Sequence, residues 1–389
     1  MKVVELTAFH VRIPLRRAIQ HASHTRTETD NIVVRCLLDD RSEGFGEGLP
    51  REYVTGETID SALELLKRSD FASQFALCRD FVASLAMIER MKLADVPGDE
   101  RGCAGNAARC AVELALLDAA GRSFGDPLSH VTKFLAPELY QPRERVRYSG
   151  AITSARGLKL RAAGWAMRLY GFRQLKVKVG IPGFDDVKRL RIIRRGAGRR
   201  MDIRVDANEA WQPGHAVERI RELQRFGITC VEQPVAHEHL AALAEIRPQV
   251  QTPIMLDESL CSRFDAQRAV DQKACDLFNL RISKCGGFIP ALRLAQFAKQ
   301  HGFGYQLGCQ VGETAILSAT GRAFAGSVAD LRYVEGSYDR HLVAEALGIN
   351  DLTFGHGGWA PLLVGSGLGV QISPAALARV IVRKESLLG

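Results

Sequence analysis

Charged residues stand at regular intervals at the ends of successive β-rich runs in the middle of the chain. In chain order they are Lys176, Lys178, Asp206, Glu232, Asp257 and Lys284. The five run ends that they mark are 25 to 28 residues apart, which matches one strand with its following helix. Equal spacing predicts that all five ends lie on one rim of a closed barrel of parallel strands. In such barrels the rim at the carboxyl ends of the strands carries the active site.

The three acidic residues follow three neighbouring strands, so the spacing predicts that their carboxylates meet. Carboxylates that meet in this way repel one another unless a cation neutralises them. An all-oxygen ligand set without nearby Cys or His is typical of Mg²⁺, with Mn²⁺ as a second option, and not of zinc. The alternative is that each of Asp206, Glu232 and Asp257 pairs separately with a lysine or caps a helix.

The lysines would stand on opposite sides of this acidic group. Lys176 and Lys178 are two residues apart in a strand, so both point into the barrel, and Lys284 follows a strand four positions away. A lysine near a dication and another lysine has a lowered pKa, as a general base requires. Two such lysines flanking one carbon would remove and deliver protons on opposite faces. This arrangement suits proton abstraction next to a carboxylate, through an enediolate that the metal stabilises, with Lys176 as a helper that lowers the pKa of Lys178.

The elements that must position these residues form two parts. From about residue 145, β-rich runs alternate with amphipathic helical stretches, which predicts a (β/α)₈ barrel over residues 136–355. The eight runs are 145–150, 174–179, 202–208, 229–234, 253–259, 277–283, 304–309 and 331–336. Residues 1–135 read as strands followed by helices, an α+β domain, and the glycine-rich tail 356–389 is expected to return to it.

Composition excludes several other classes of protein. The 389 residues are 46% hydrophobic and 25% charged, with a formal net charge of +8, which suits a globular protein and an anionic small substrate. Seven basic residues between positions 188 and 200 have no aromatic residues among them, so we expect a solvated helix face and not a nucleic-acid site. No run is long and apolar enough for a membrane span, and the first residues read as a strand and not a signal peptide. Nine cysteines without a CxxC pair predict reduced thiols and a cytoplasmic protein.

Five ordered motifs resemble the enolase superfamily, and most of all its muconate-lactonizing-enzyme (muconate cycloisomerase) subgroup within the mandelate racemase and muconate lactonizing enzymes. The motifs are KVK at 176–178, DAN at 206–208 with Trp211, VEQP at 231–234, LDES at 256–259 and SKCGG at 283–287. The resemblance implies that Asp206, Glu232 and Asp257 bind Mg²⁺, that Lys178 and Lys284 exchange protons with the substrate, and that Asn208 and Glu258 orient the metal ligands. These seven assignments cover the catalytic centre of such an enzyme.

The resemblance also implies how substrate is enclosed. The α+β domain would cap the barrel, with specificity loops at about 20–30 and 51–58, and the protein would be a homo-oligomer, either a dimer or an octamer. The candidate substrate contacts are His24, Tyr53, Glu313 and Glu335. Dipeptide epimerases of this subgroup carry Asp-x-Asp at the end of the eighth strand, where this chain reads VEGSYDR with Glu335 instead. This difference disfavours a dipeptide substrate, whereas a carboxylate near this place is compatible with cycloisomerases.

The leading prediction is therefore a muconate cycloisomerase-like isomerase that acts on a small anionic carboxylate. The alternatives are an epimerase or racemase of an amino-acid derivative or dipeptide, and a dehydratase similar to o-succinylbenzoate synthase. The barrel motifs are common to all three, so they do not choose between them. A catalytically silent barrel that only binds ligand is the alternative from another class of protein.

Overall fold

The computed structural model describes residues 1–20 and 25–389, and its strands and helices are numbered in chain order. The strands are β1 Val3–Gln20, β2 Thr25–Leu38, β3 Glu43–Gly48, β4 Arg145–Arg147, β5 Gly150–Ile152, β6 Gln174–Lys178, β7 Asp202–Asp206, β8 Ile228–Glu232, β9 Ile254–Leu256, β10 Leu277–Arg281, β11 Gly304–Gly308, β12 Leu331–Val334, β13 Trp359–Pro361 and β14 Ile381–Leu388. The helices are α1 Glu52–Thr55, α2 Ile59–Arg68, α3 Phe81–Glu89, α4 Asn106–Phe124, α5 His130–Leu135, α6 Gly157–Leu169, α7 Asp186–Ala197, α8 Pro213–Gln224, α9 Leu240–Ile246, α10 Arg263–Asp271, α11 Phe288–Gln300, α12 Ala315–Ser327, α13 Asp339–Leu342 and α14 Pro374–Val380.

The N-terminal strands form an antiparallel sheet in the order β14-β1-β2-β3, so the last strand of the chain lies beside the first. Helix α4 packs directly on β3, where every second residue is glycine. A Cβ added to Gly46 would lie 2.0 Å from the backbone oxygen of Ala111 and 2.4 Å from the backbone nitrogen of Ala115. The glycines and the alanine-rich helix therefore allow the sheet and the helix to approach at backbone distance.

The second part is a barrel of eight parallel strands, in the order β12-β11-β10-β9-β8-β7-β6-β5. A hydrogen bond of 2.8 Å runs from the backbone nitrogen of Ser149, directly before β5, to the oxygen of Val334 at the end of β12, and so connects the two ends of the sheet. Helices α6 to α13 each follow one of the eight strands, although α13 is only one turn long. The predicted (β/α)₈ barrel with an additional α+β domain is thus confirmed.

The first barrel strand lies later in the chain than the sequence predicts. The run 145–150 is divided between β4, which is outside the barrel, and β5, which begins at Gly150. Strand β4 pairs antiparallel with β13, and Arg147 lies opposite Trp359. A short alternating run does not specify its partner, and here the partner comes more than 200 residues later in the chain.

The α+β part contacts the barrel beside the carboxyl ends of its strands. The side-chain amide of Asn106, at the start of α4, donates to the backbone oxygen of Cys261 at 2.8 Å and to that of Lys284 at 2.7 Å. On the other side of the mouth, the buried carboxylate of Glu47 accepts hydrogen bonds from Thr314 and Leu317 at the start of α12. These contacts fix loops that carry the barrel-end residues.

All nine cysteines are free. In the described part of the chain, no helix has both the length and the apolar character needed to cross a membrane.

Candidate active site

The three predicted acidic ligands lie side by side at the carboxyl end of the barrel. Asp206 is the last residue of β7 and pairs in register with Glu232, the last residue of β8. Asp257 comes directly after β9, the next strand of the sheet. All three side chains are buried because each points inward at the strand end.

Lys176 lies between these acids. Its Nζ is 2.7 Å from Oε2 of Glu335, 3.4 Å from Oδ2 of Asp206 and 3.6 Å from Oε2 of Glu232. Burial alone would lower the pKa of Lys176, but the three carboxylates raise it well above its ordinary value. The ammonium group is therefore a fixed positive charge and does not supply a base.

Two buried arginines inside the barrel complete the charge network, and neither was predicted from the sequence. Arg281, the last residue of β10, forms an ion pair with Asp257 and lies 3.6 Å from Oε1 of Glu232. Arg204, inside β7, donates to Oε1 of Glu335. Their positions in the strands predict that they point into the barrel, because alternate residues of a strand share a face. Arg204 is two residues from the inward Asp206, and Arg281 is two residues from the inward Asn279.

Glu335 follows β12 and lies in the middle of a buried ion network. Lys176 and Arg204 each donate to one of its carboxylate oxygens. Burial opposes ionisation, but these two cations lower the pKa of Glu335 to about 2. The residue is thus a permanent counter-charge for the interior of the barrel, and both of its oxygens are already occupied.

The donor set at the barrel mouth fits a hard divalent cation. One oxygen of each predicted ligand, Oδ2 of Asp206, Oε2 of Glu232 and Oδ2 of Asp257, is buried without a hydrogen bond, although Oδ2 of Asp257 is in ion-pair contact with Arg281. Burial and the charge of Asp206 raise the pKa of Glu232 well above its ordinary value, as expected for neighbouring carboxylates that lack full neutralisation. Lys176 and Arg281 lie between the acids. No choice of one oxygen from each of the three carboxylates brings all three oxygens within 4.8 Å of one another.

Lys178 lies at the end of β6 and pairs in register with Asp206. It is half-buried, whereas the other two lysines of the site are buried. Burial lowers the pKa of Lys178, and the positive charges of Lys176 and Arg281 lower it further against the opposing effect of Asp206. This is the direction that the sequence predicts for a general base.

Lys284 follows β10, which is four strands away from β6 and therefore on the opposite side of the barrel. Its Nζ donates to Oδ1 of Asp257 at 2.9 Å, to the backbone oxygen of Asp257 at 2.6 Å and to that of Asn279 at 2.9 Å. Burial would lower the pKa of Lys284, but the charge of Asp257 raises it. The sequence predicted a lowered pKa. The structure differs because three acceptors hold the ammonium form.

Asn208 and Glu258, the residues expected to orient the ligands, contact each other beside the acids. The amide of Asn208 donates to Oε1 of Glu258 at 3.5 Å, and its backbone nitrogen donates to Oδ1 of Asp206 at 3.0 Å. Burial and the charge of Asp257 raise the pKa of Glu258 to about 8. The side-chain oxygen of Gln233, a residue not predicted to act in the site, accepts from the backbone nitrogen of Asp257 at 2.9 Å and so fixes that strand end.

The predicted substrate contacts do not form one group. Tyr53, in α1, is half-buried and lines a cavity of about 950 Å³ between the α+β part and the loops after β7 and β8. Glu313 accepts from the backbone nitrogen of Gln310 at 2.6 Å, and burial raises its pKa to about 8. His24 lies outside the described residues.

The cavity beside Tyr53 also contains an imidazole between two carboxylates. Nδ1 of His237 is 2.7 Å from Glu209, and its Nε2 is 3.4 Å from Glu238. The hydrogen bond with Glu209 raises the pKa of His237. These groups pair with one another on the rim and lie outside the set of barrel-end residues.

A comparison with known families and proteins gives this site a context. The family model described as "Enolase C-terminal domain-like" matches residues 159–376, more than half of the chain. An L-Ala-D/L-Glu epimerase from Clostridium acetobutylicum is 30% identical over 332 residues, which are 84% of this chain and 87% of that protein.

Solved structures show the same similarity. The N-succinyl Arg/Lys racemase from Bacillus cereus superposes with a TM-score of 0.85 at 25% identity, over 99% of this chain and 100% of that one. A dipeptide epimerase from Cytophaga hutchinsonii, complexed with Mg and the dipeptide D-Ala-L-Val, superposes with a TM-score of 0.84 at 25% identity and full coverage of both chains. A 2-chloromuconate cycloisomerase from Rhodococcus opacus has a TM-score of 0.83, and its 24% identity shows the shared fold alone. The length of the family match and the identity to the epimerase show that this chain belongs to the enolase superfamily.

Proposed function

We propose that this protein is a racemase or epimerase that inverts the α-carbon of an N-acylated amino acid. The observation that carries the proposal is the pair Lys178 and Lys284, two lysines on opposite sides of one barrel mouth with pKa values shifted in opposite directions. Inversion of a stereocentre needs one group that takes a proton from one face and another that returns a proton to the other face. The similarity to epimerases and a racemase supports this reading over lactonisation.

The two lysines share the proton transfers. Lys178, with its lowered pKa, supplies the free amine that removes the α-proton. Lys284, held as an ammonium by Asp257 and two backbone oxygens, delivers a proton to the opposite face. In the reverse direction the two roles exchange. Lys176 keeps positive charge beside the reacting group and helps to hold the pKa of Lys178 low.

Asp206, Glu232 and Asp257 would hold a divalent cation, Mg²⁺ or Mn²⁺, through carboxylate oxygens that lack hydrogen bonds, and at Asp257 the cation would replace the ion pair with Arg281. Such a cation supplies electrostatic stabilisation of the negative charge that develops on the substrate carboxylate. Asn208 and Gln233 fix the two strand ends that carry Asp206 and Asp257.

The substrate class follows from the charges at the end of the barrel. A dipeptide carries a free ammonium group, which needs a carboxylate partner in a buried site. Both oxygens of Glu335 are already bound by Lys176 and Arg204, and burial raises the pKa of Glu313 to about 8, which disfavours its charged form. An N-acyl group removes the ammonium charge, so an N-acylated amino acid suits this end better than a dipeptide does.

The muconate cycloisomerase reading, which the sequence motifs favoured, now has less support than its alternative. The 2-chloromuconate cycloisomerase is 24% identical to this chain and shows the shared fold alone. The L-Ala-D/L-Glu epimerase is 30% identical over 84% of this chain. The o-succinylbenzoate synthase-like dehydratase has no observation of its own in this structure.

The proposal is tested by incubation in D₂O with Mg²⁺ and three substrate panels, namely N-succinyl and N-acetyl amino acids, dipeptides, and muconates. Racemisation with deuterium at the α-carbon of an N-acyl amino acid is the expected result. Lactone formation from a muconate, or epimerisation of dipeptides alone, would replace the proposal with the corresponding activity. Absence of exchange with every panel would favour the catalytically silent protein. Arg379→Gln, a surface change far along the chain from the site residues, provides the control variant.

A further inference from the structure

A second cavity, of about 700 Å³, lies at the end of the barrel away from the catalytic residues. Its walls come from the C-terminal end of α6, the residues before β6 and the residues before β7. The lining residues are Arg168, Phe172, Arg173, Ala197, Gly198, Arg199, Arg200 and Met201. Because these residues precede the strands that end in Lys178 and Asp206, the cavity is one strand length, roughly 15 Å, from the active site.

Four arginines line this cavity, and no acidic residue does. Arg168, Arg173, Arg199 and Arg200 are all exposed. Within the described part of the chain, none of the four forms an ion pair with a carboxylate, and the guanidinium of Arg168 lies 5.7 Å from the centroid of the Trp165 ring. Four unpaired guanidinium groups around one concavity produce a concentrated positive potential. A ligand that covered these guanidinium groups without neutralising them would bury unpaired charges at a cost in free energy, so the cavity favours an anion.

Two further arginines hold the walls of the cavity in place. Arg194 donates to the backbone oxygens of Gly198 and Met201, and its Nε donates to that of Phe226 at 2.8 Å. Arg147 donates to the backbone oxygen of Gly171 at 2.7 Å and to that of Gly357 at 2.9 Å. Both segments that carry the exposed arginines are therefore fixed from behind, so ligand binding would require little ordering of the backbone.

The environment of these bracing arginines shows the same excess of positive charge. Burial lowers the pKa of Arg147, and the charge of Arg173 lowers it further. Burial lowers the pKa of Arg194, and the nearest compensating acid is Asp202. The carboxylate of Asp202 is already bound by the hydroxyl of Thr229.

We propose that this cavity, with Arg168, Arg173, Arg199 and Arg200 around its opening, binds a small molecule that carries two or more phosphate groups. Guanidinium groups bind phosphate oxygens in pairs of parallel hydrogen bonds, so several of them select a ligand with more than one phosphate. The buried side chains of Phe172 and Met201 form an apolar floor, and a cavity of about 700 Å³ accommodates a compact organic phosphate. Phe172, the aromatic residue of the lining, is buried and gives a nucleic-acid base no face to stack on, while the exposed ring of Trp165 lies under Arg168 outside the lining.

The test measures binding of inorganic pyrophosphate to the full chain by isothermal titration calorimetry at low ionic strength. The double variant Arg199→Gln/Arg200→Gln removes two lining charges. Arg191→Gln/Arg195→Gln removes two exposed charges from α7 that do not line the cavity, and is the matched control. We expect one saturable site in the native protein, about tenfold weaker binding in the cavity variant, and binding within about twofold of native in the control.

Equal weakening in both double variants, or no saturable binding of pyrophosphate, would overturn the proposal, because the attraction would then be a diffuse property of the charged surface. A second titration uses a duplex DNA oligonucleotide, and DNA that binds more tightly than pyrophosphate would equally overturn it. Arg168→Gln/Arg173→Gln tests the opposite wall and should weaken pyrophosphate binding to a similar extent. Turnover at the active site is independent of these changes, so a failure here leaves the proposed racemase function unaffected.

Discussion

Glu335→Gln removes one negative charge from the middle of the barrel, so that Arg204 loses its carboxylate partner and Lys176 loses the nearest of its three carboxylates. In the native protein Lys176 lies 2.7 Å from one oxygen of Glu335, and Arg204 donates to the other. The substituted amide keeps the size of the side chain but directs an NH₂ group toward one of two groups that can only donate. The variant therefore combines an unpaired buried charge with an unsatisfied donor.

The expected cost is about 3–5 kcal/mol in the free energy of unfolding, because that is the range found when one partner of a buried ion pair is removed. The full stability of a domain is about 5–15 kcal/mol, so the variant should lose a large share of it. Replacing Arg204 by Met in the same chain removes the unpaired guanidinium. Glu335→Gln/Arg204→Met should then lose less stability than the sum of the two single variants.

Equilibrium urea unfolding of the native protein, Glu335→Gln, Arg204→Met and the double variant, in buffer with EDTA, measures these differences. Glu345→Gln is the matched control, because Glu345 pairs with Arg379 at 2.6 Å on the surface and should lose less than about 1 kcal/mol. If Glu335→Gln lost no more than the control, or if the double variant showed simple additivity, the buried network would not neutralise the barrel interior as described.

Three further outcomes follow from the structure. Turnover should have a bell-shaped pH profile, with an ascending limb from Lys178 that lies below the ordinary lysine pKa of 10.5 and a descending limb from Lys284. Both enantiomers should show the same limbs, because either direction needs one protonated lysine of the pair. An ascending limb above 10.5 would argue against Lys178 as the base. Chelation with EDTA should stop turnover, and added Mg²⁺ should restore it. Glu232→Gln should need a higher Mg²⁺ concentration for the same turnover. Turnover that survives exhaustive chelation would show that the reaction needs no divalent cation. Gly46→Ala should lower the free energy of unfolding by about 1–3 kcal/mol or more, because its Cβ would meet the backbone of α4. The control Gly214→Ala, in α8, places its Cβ where nothing lies within 4 Å and should stabilise the chain by about 0.5–1 kcal/mol. Equal urea midpoints for the two variants would contradict the close packing of β3 on α4.

Sequence spacing predicted the barrel and the strand-end positions because both depend on local repetition. Lys178, Asp206 and Glu232 each end a β-rich run, and parallel strands bring such ends to the same edge. The run at 145–150 could not be placed correctly in the same way. Its partner Trp359 lies far along the chain, and alternation alone does not encode that pairing.

The charge balance of the site was harder to predict than its residues. Arg204 and Arg281 lie within strands that look apolar overall, and only their inward parity marks them. The raised pKa of Lys284 depends on the approach of Asp257 and on two backbone oxygens, which spacing does not give. Glu335 was predicted as a possible substrate contact from its place after the eighth strand. Its ion pairs were not predicted, because its two cationic partners come from different strands of the barrel.

Stereospecific exchange by single lysine variants tests the two-base account most directly. Lys178→Ala and Lys284→Ala are each incubated in D₂O with Mg²⁺ and the separate enantiomers of the best N-succinyl amino-acid substrate, and deuterium at the α-carbon is followed by NMR. Each variant should exchange the α-proton of only one enantiomer, with retention of configuration, and the two variants should act on opposite enantiomers. Racemisation by either variant, or exchange of both enantiomers by one of them, would show that the two lysines do not stand on opposite faces of the reacting carbon.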